Sequence, residues 1–95
     1  MQAVATMITP KAERYAAQLC KHFAHKVEAR YEDGEGQVAF PFGRCTMRVA
    51  GEALTLVGEA DSVDDLAHLE EVVGTHLERF AFREEPRIMW SRIVA

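Results

Sequence analysis

The chain has few cysteines, no long apolar run and no excess of positive charge. Its two cysteines, Cys20 and Cys45, allow one disulfide bond but exclude the cysteine-dense scaffold of small secreted proteins. No stretch approaches the roughly 20 apolar residues that a membrane-spanning helix needs. Lys and Arg number 11 against 15 Asp and Glu, for a net charge of −4, and they form no block. This composition argues against a nucleic-acid partner and a membrane partner.

What the chain does have is enough apolar residues for a small core. Its 95 residues, 48% of them hydrophobic, fit a single domain over 1–95. A core of this size is marginal alone, which makes a homo-oligomer a candidate assembly. The opening residues, MQAVATMITP, lack the basic and apolar regions of a signal peptide. We therefore expect a cytoplasmic protein.

Two amphipathic helices are predicted, one in each half of the chain. The first follows a short strand at residues 3–8 and starts with Thr9 as N-cap and Pro10 as its first residue. The second starts after Ser62. Each helix carries one apolar stripe at helical spacing. The stripes are Ala12, Tyr15, Ala16, Leu19 and Phe23 in the first helix, and Leu66, Leu69, Val73, Leu77 and Phe80 in the second.

Between the helices the hydrophobic period changes to two, which is typical of strands with one buried face. Four such runs lie between residues 27 and 60, separated by turns at 33–36, at Gly43 and at 51–52. Pro41 removes a backbone donor, so its strand either lies at an edge or ends there. The apolar segment 88–95 is either a last strand or a tail docked on the core or on a partner.

These elements predict an α+β fold, a two-layer sandwich. A four- to five-stranded antiparallel sheet would carry two antiparallel helices on one face. The order β-α-β4-α resembles the TATA-box-binding-protein-like architecture, without the basic outer surface of that protein. Because a shared fold does not imply a shared function, this likeness assigns no activity.

The histidines are the main candidates for a functional site. His22 lies at the flank of the first apolar stripe and His76 at the flank of the second, whereas His25 lies near the first helix end. His68 lies on the polar side of the second helix. Because the predicted helices are antiparallel neighbours, His22 and His76 either face each other across the seam or both face outward. The sequence leaves both arrangements open.

Three kinds of role fit these residues. If His22 and His76 face each other, then His22, His25 and His76 are a candidate metal set for zinc or iron. An imidazole pair also suits acid–base chemistry near neutral pH. The structural alternative is that these histidines only form hydrogen bonds with backbone carbonyls or, when protonated at a helix C-terminus, interact favourably with the helix dipole. Glu78 and Arg79 lie beside His76 and join His22 and His76 as candidate ligand-binding residues.

Three stretches carry a resemblance to a known family: RYAAQLCKHFAHKV, GQVAFPFGRCTM, and HLERFAFREE followed by IMW. They resemble a small bacterial family called domain of unknown function 2218, over nearly the whole chain. The resemblance places the family's recurring histidines on His22, His25 and His76. It implies a stand-alone cytoplasmic domain of the same fold. It also implies a link to iron and siderophore handling, because similar domains occur beside or joined to siderophore-interacting proteins, which makes such a protein a candidate partner.

Two functions from different classes follow, together with a purely structural third. The first is a non-catalytic accessory or binding domain in iron or siderophore metabolism, with a histidine-based site for a metal or metal chelate. The second is a small enzyme that uses the His22 and His76 pair as acid and base. The third is an interaction module that docks through the segment containing Trp90.

Overall fold

The computed structural model describes residues 1–93, which form an antiparallel sheet with two helices packed on it. The helices are α1 (Ala12–Phe23) and α2 (Val63–Phe80), and a 3₁₀ turn, Phe82–Glu84, follows α2. The strands are β1 (Gln2–Ile8), β2 (Glu28–Glu32), β3 (Glu35–Phe40), β4 (Gly43–Ala50), β5 (Ala53–Glu59) and β6 (Ser91–Ile93).

The predicted four- to five-stranded sheet with a TATA-box-binding-protein-like order is wrong. The sheet has six strands in the order β2-β3-β4-β5-β1-β6, and every neighbouring pair is antiparallel. The sixth strand pairs Ser91, Arg92 and Ile93 with the first residues of β1. Its three residues are all exposed, so no buried alternation marks it in the sequence and tertiary contacts decide its place. Val94 and Ala95, the end of the predicted tail, lie outside the described residues.

The start of α1 differs from its prediction by two residues. The helix begins at Ala12 rather than Pro10, with Lys11 at the N-cap position and no side-chain cap. Thr9 still contributes, because its Oγ1 accepts a hydrogen bond from the Lys11 backbone N–H at 3.1 Å. The predicted Ser62 cap of α2 is confirmed, since its Oγ accepts from the Asp65 N–H at 3.1 Å.

One face of the sheet is buried beneath the helices. The apolar stripes of both helices meet the inward residues of the central strands, among them Val38, Cys45, Met47, Leu54 and Leu56, which are all at most 2% exposed. Burying this surface is the main stabilising contribution to the fold. Among residues 1–93, no helix is long and apolar enough to cross a membrane.

The helices run antiparallel, and this sets which residues meet between them. Strand β1 leads into α1, its antiparallel neighbour β5 leads into α2, and both helices cover the same face. The end of α1 therefore meets the second half of α2, where His22 contacts His76. The start of α1 meets the residues after α2, where Tyr15 bonds Glu84.

Candidate functional site

His22 and His76 face each other across the seam between α1 and α2. Their ring centroids are 4.9 Å apart, with the ring planes inclined at 42°. Of the two arrangements that the sequence left open, this is the first. Two imidazoles from different helices therefore form a pair that neither helix could provide by itself.

The His76 ring is held by the helix on which it lies. Its Nδ1 is 2.6 Å from the carbonyl oxygen of Val72, one turn earlier in α2. A carbonyl oxygen can only accept, so Nδ1 carries the proton and donates it. In the neutral ring, Nε2 then keeps its lone pair, and within residues 1–93 it makes no hydrogen bond. This is the same ring-fixing contact that orients histidines toward metals and acidic groups.

His22 has the opposite character, since it is exposed and its neighbours disfavour protonation. Desolvation of its ring is the largest cause of a lowered pKa, followed by the charges of His76, His25 and Lys26. Its ring contacts Phe23 at 5.4 Å and Phe80 at 5.5 Å between centroids, which accounts for the desolvation. Because an ordinary histidine has a pKa near 6.5, His22 is mainly neutral at pH 7.

Aromatic rings continue from the histidine pair to the tip of the β3–β4 hairpin. Phe23 contacts His76 at 5.1 Å and Phe40 at 5.0 Å, and Phe40 stacks on Phe42 at 4.9 Å. Pro41 explains this arrangement, because β3 ends immediately before it and the chain turns there, which brings Phe42 back over Phe40. Of the two predictions for Pro41, the strand end is the one that the structure has.

These residues line one pocket of about 380 Å³, which we call the histidine pocket. Its walls are largely apolar, while His25 and Lys26, after the end of α1, add charged or chargeable groups. Concave apolar walls with a few convergent polar groups are typical of small-molecule sites. The lining residues are His22, Phe23, His25, Lys26, Val27, Phe40, Pro41, Phe42, Val72 and His76.

His68 lies apart from the other three histidines. It is exposed, as predicted, and its ring stacks on Phe42 with centroids 4.2 Å apart and planes at 8°. It does not line the histidine pocket as far as the described residues define it. His68 is therefore a useful internal comparison for His76, because both rings pack on phenylalanine.

The geometry gives no support to a site for a bare metal ion. Within residues 1–93, no group of three or more His, Cys, Asp or Glu side chains is arranged to hold one. His25 lines the same pocket as His22 and His76 but does not complete such a group. The zinc or iron set of His22, His25 and His76 thus stays a prediction.

Glu78 and Arg79, the other candidate ligand-binding residues, do not line the described histidine pocket. Glu78 is partly buried, and its Oε2 accepts a hydrogen bond from the Ile88 backbone N–H at 3.0 Å. It therefore anchors the segment before β6 to α2. Arg79 is exposed in the last turn of α2, where a cation is favoured by the helix dipole.

Neither cysteine has the character of a nucleophile. Both are buried and unpaired. Desolvation raises the pKa of Cys20 to about 11 and that of Cys45 to about 12. A nucleophilic cysteine needs an exposed thiolate with a lowered pKa, so these side chains serve as small core residues.

The sequence reasoning missed the hairpin residues of the pocket. Phe40, Pro41 and Phe42 supply one wall, yet they lie far from the histidines along the chain. The FPF stretch beside the predicted turn could have indicated this wall, because two large aromatic residues are unusual next to a turn that faces only solvent. Phe23 was predicted only as a core residue, and it serves both the core and the pocket.

Comparisons with known proteins identify the family and one solved structure of the same fold. The NMR structure of PA4090 from Pseudomonas aeruginosa matches with a TM-score of 0.80 and 30% sequence identity, over 95% of this chain and 94% of that chain. No curated protein matches. The sequence profile of a family described as an uncharacterized protein conserved in bacteria (DUF2218) matches residues 4–91. The chain therefore belongs to this DUF2218 family of bacterial proteins.

Proposed function

We propose that this protein is a non-catalytic binding domain whose histidine pocket binds a small aromatic chelator, free or as its iron complex. The observation that carries the proposal is the fixed His76 ring, whose Nδ1 donates to Val72 O at 2.6 Å. The neutral form of this ring leaves Nε2 as an acceptor, and His76 lines an aromatic pocket of about 380 Å³. One good acceptor within apolar walls suits a ligand with a flat ring and a hydroxyl donor.

The aromatic walls support a flat ligand. Phe23, Phe40 and Phe42 provide ring faces and edges, and aromatic pairs are favoured in stacked or edge-to-face contacts. His22 supports the same ligand class, because its lowered pKa keeps its ring uncharged and able to accept or donate one hydrogen bond.

We propose that the bound chelator, and not the protein, holds the iron, for two reasons. The family resemblance implies a link with siderophore handling, and siderophores bring their own iron ligands. The protein itself offers no set of three or more metal-binding side chains within the described residues, so a chelator would have to hold most of the metal. An accessory role beside a siderophore-related protein, or in a homo-oligomer, belongs to the same proposal.

The test is a calorimetric titration with catechol, with ferric catecholate and with free ferric and zinc ions. We expect saturable binding of catechol that His76→Phe weakens about tenfold, as the loss of one hydrogen bond of about 1.4 kcal/mol predicts. His68→Phe is the matched control, because it changes a histidine stacked on Phe42, and we expect unchanged affinity.

The outcomes separate the parts of the proposal. Equal weakening by both substitutions would remove the histidine pocket as the binding site. Binding of catechol without binding of ferric catecholate would leave a binding domain and remove iron as its cargo. Tight binding of free ferric or zinc ion that His22→Phe and His76→Phe abolish would favour the three-histidine metal set instead.

Acid–base catalysis is a second candidate, favoured by the contact between His22 and His76 at 4.9 Å beside a pocket. An uncharged His22 is available as a base, since its pKa is lowered. Product analysis after long incubation with each compound that binds would test it. Turnover that His22→Phe abolishes would establish an enzyme, and recovery of the ligand unchanged would support the binding domain.

A further inference from the structure

A second pocket lies at the other end of the interhelical seam, and it has a different chemistry. It has a volume of about 380 Å³ and is lined by Lys11, Arg14, Tyr15, Gln18, Phe80, Phe82 and Arg83. We call it the basic pocket. Three of its seven residues are cations, although the whole chain carries a net charge of −4. A cluster of cations on a protein of negative net charge suggests a binding site for an anion.

The three cations have no ion-pair partners in the described part of the chain. The ion pairs found there, Arg48 with Glu35 and Arg92 with Glu70, lie elsewhere. Helix stability does not explain Lys11 and Arg14 either, because they lie at the start of α1, where the helix dipole disfavours cations. The helix dipole therefore destabilises the charges of Lys11 and Arg14, and a bound anion would offset this unfavourable interaction.

Phe82 adds an apolar component to the pocket. Its side chain is 64% exposed, and the guanidinium carbon of Arg83 lies 5.7 Å from the centre of its ring. Phe80 contributes a second ring. Guanidinium groups next to aromatic rings suit the recognition of flat anionic ligands, since they bind the acid group and stack on the ring.

The carboxylates nearest to these cations along the chain are Glu13, Glu84 and Glu85, and Glu84 is already engaged. Glu84 accepts hydrogen bonds from the hydroxyl groups of Tyr15 and Thr9. These bonds lower its pKa, with a smaller contribution from the charge of Lys11, so Glu84 is ionised at neutral pH. The pocket lining itself holds three cations and no carboxylate, a local positive charge of the kind that attracts a phosphate or carboxylate.

We propose that the basic pocket binds a small anion joined to a flat aromatic ring, an aryl phosphate or aryl carboxylate. Lys11, Arg14 and Arg83 bind the anionic group, and Phe82 and Phe80 contact the ring. The site is distinct from the histidine pocket and does not rest on the function proposed for that pocket.

The test is titration with phenyl phosphate, inorganic phosphate and phenol, followed by calorimetry and by amide NMR shifts. We expect phenyl phosphate to bind more tightly than either fragment, and its affinity to fall as salt rises. The double substitution Arg14→Gln with Arg83→Gln should weaken it at least tenfold, since charge-assisted hydrogen bonds are lost. Both arginines are exposed, and thermal unfolding would verify that the variant folds.

The matched control is Arg44→Gln with Arg48→Gln, which removes the same charge from exposed positions on β4. We expect at most a twofold effect from it, and none from His76→Phe. Equal weakening by the two arginine pairs would overturn the proposal, because general electrostatic attraction would then explain the binding. Absence of saturable binding would also overturn it. If Phe82→Ala left phenyl phosphate affinity unchanged, the aromatic part of the proposal would be wrong.

Discussion

The two pockets at the interhelical seam meet at Phe80 but differ in their electrostatics. The Phe80 ring contacts His22 at 5.5 Å and also lines the basic pocket. On the histidine side, desolvation and neighbouring charges lower the pKa of His22. On the basic side, Lys11, Arg14 and Arg83 keep permanent charges. Binding in the histidine pocket should therefore depend on pH, and binding in the basic pocket on salt.

One phenylalanine from each pocket, Phe23 and Phe82, differs strongly from the other in burial. Phe23 is 7% exposed and belongs to the core, whereas Phe82 is 64% exposed on the 3₁₀ turn. Phe23 therefore joins the wall of the histidine pocket to the folded core, and its removal should cost stability. Phe82 lies on the surface, so it and the exposed cations of the basic pocket are available for substitution.

The largest expected effect tests this difference in burial. Phe23→Ala should lower the free energy of unfolding by about 3–5 kcal/mol, because it leaves a cavity in the core and removes ring contacts to Phe40 and His76. Phe82→Ala should change it by less than about 0.5 kcal/mol. Urea denaturation measures both. Similar losses from the two substitutions would contradict the assignment of Phe23 to the core and of Phe82 to the surface.

The fold could be read from the sequence wherever hydrophobic periodicity decided the outcome. Both apolar stripes and the alternation of the central strands were readable, and so was the Ser62 cap, because local physical chemistry determines them. The exact strand number could not be read. Strand β6 depends on Trp90 and Ile88 packing beside Gly74, where a Cβ would lie 3.2 Å from the Trp90 Nε1, and on the two hydrogen bonds from Arg92 to Glu70.

The candidate site could be read only in part, for a related reason. The sequence placed His22 and His76 on corresponding sides of two antiparallel helices, so they either faced each other or both faced outward. Only the packing of the helices in the structure shows that they face each other. The hairpin wall at Phe40 and Phe42 depends on long-range contacts, such as the one between Phe23 and Phe40. The basic pocket joins Lys11 and Arg14 to Arg83, about seventy residues later in the chain, and no local pattern links them.

A smaller effect is expected where polar groups join the start of α1 to the 3₁₀ turn. Thr9 is 1% exposed, and its hydroxyl donates to Glu84 at 3.0 Å and accepts from the Lys11 N–H at 3.1 Å. Thr9→Val keeps the volume and removes both bonds, so we expect a loss of about 1 kcal/mol in unfolding free energy. Thr6→Val, at an exposed position on β1, is the control and should be nearly neutral.

The same variant should reveal the pH dependence of this contact. Glu84 has a pKa lowered from 4.5 by the Tyr15 bond first and the Thr9 bond second. A carboxyl whose pKa is lower in the folded state stabilises the fold above pH 4.5, and this contribution is lost as the pH falls below it. The difference between wild type and Thr9→Val should therefore narrow in acid. A constant difference from pH 7 to pH 3 would show that Glu84 is not part of the contact.

The smallest expected effect concerns the charge of the histidine pair. NMR titration should give His22 a pKa below 6.5, because desolvation and the charge of His76 both disfavour its protonation. His76→Phe removes the second cause and keeps the first, so the His22 pKa should rise and remain below 6.5. His68→Phe should leave it unchanged, since His68 stacks on Phe42 and does not act on His22.

The sign of this shift also predicts how stability depends on pH near neutrality. The unfolded chain binds a proton at His22 more readily than the folded chain does, so the fold loses stability as the pH decreases below 6.5. His22→Gln should reduce that loss while leaving the acid dependence that Glu84 causes. If His22 instead titrated above 7, its ring would be mainly charged at neutral pH, and the contrast between this histidine and the cations of the basic pocket would disappear.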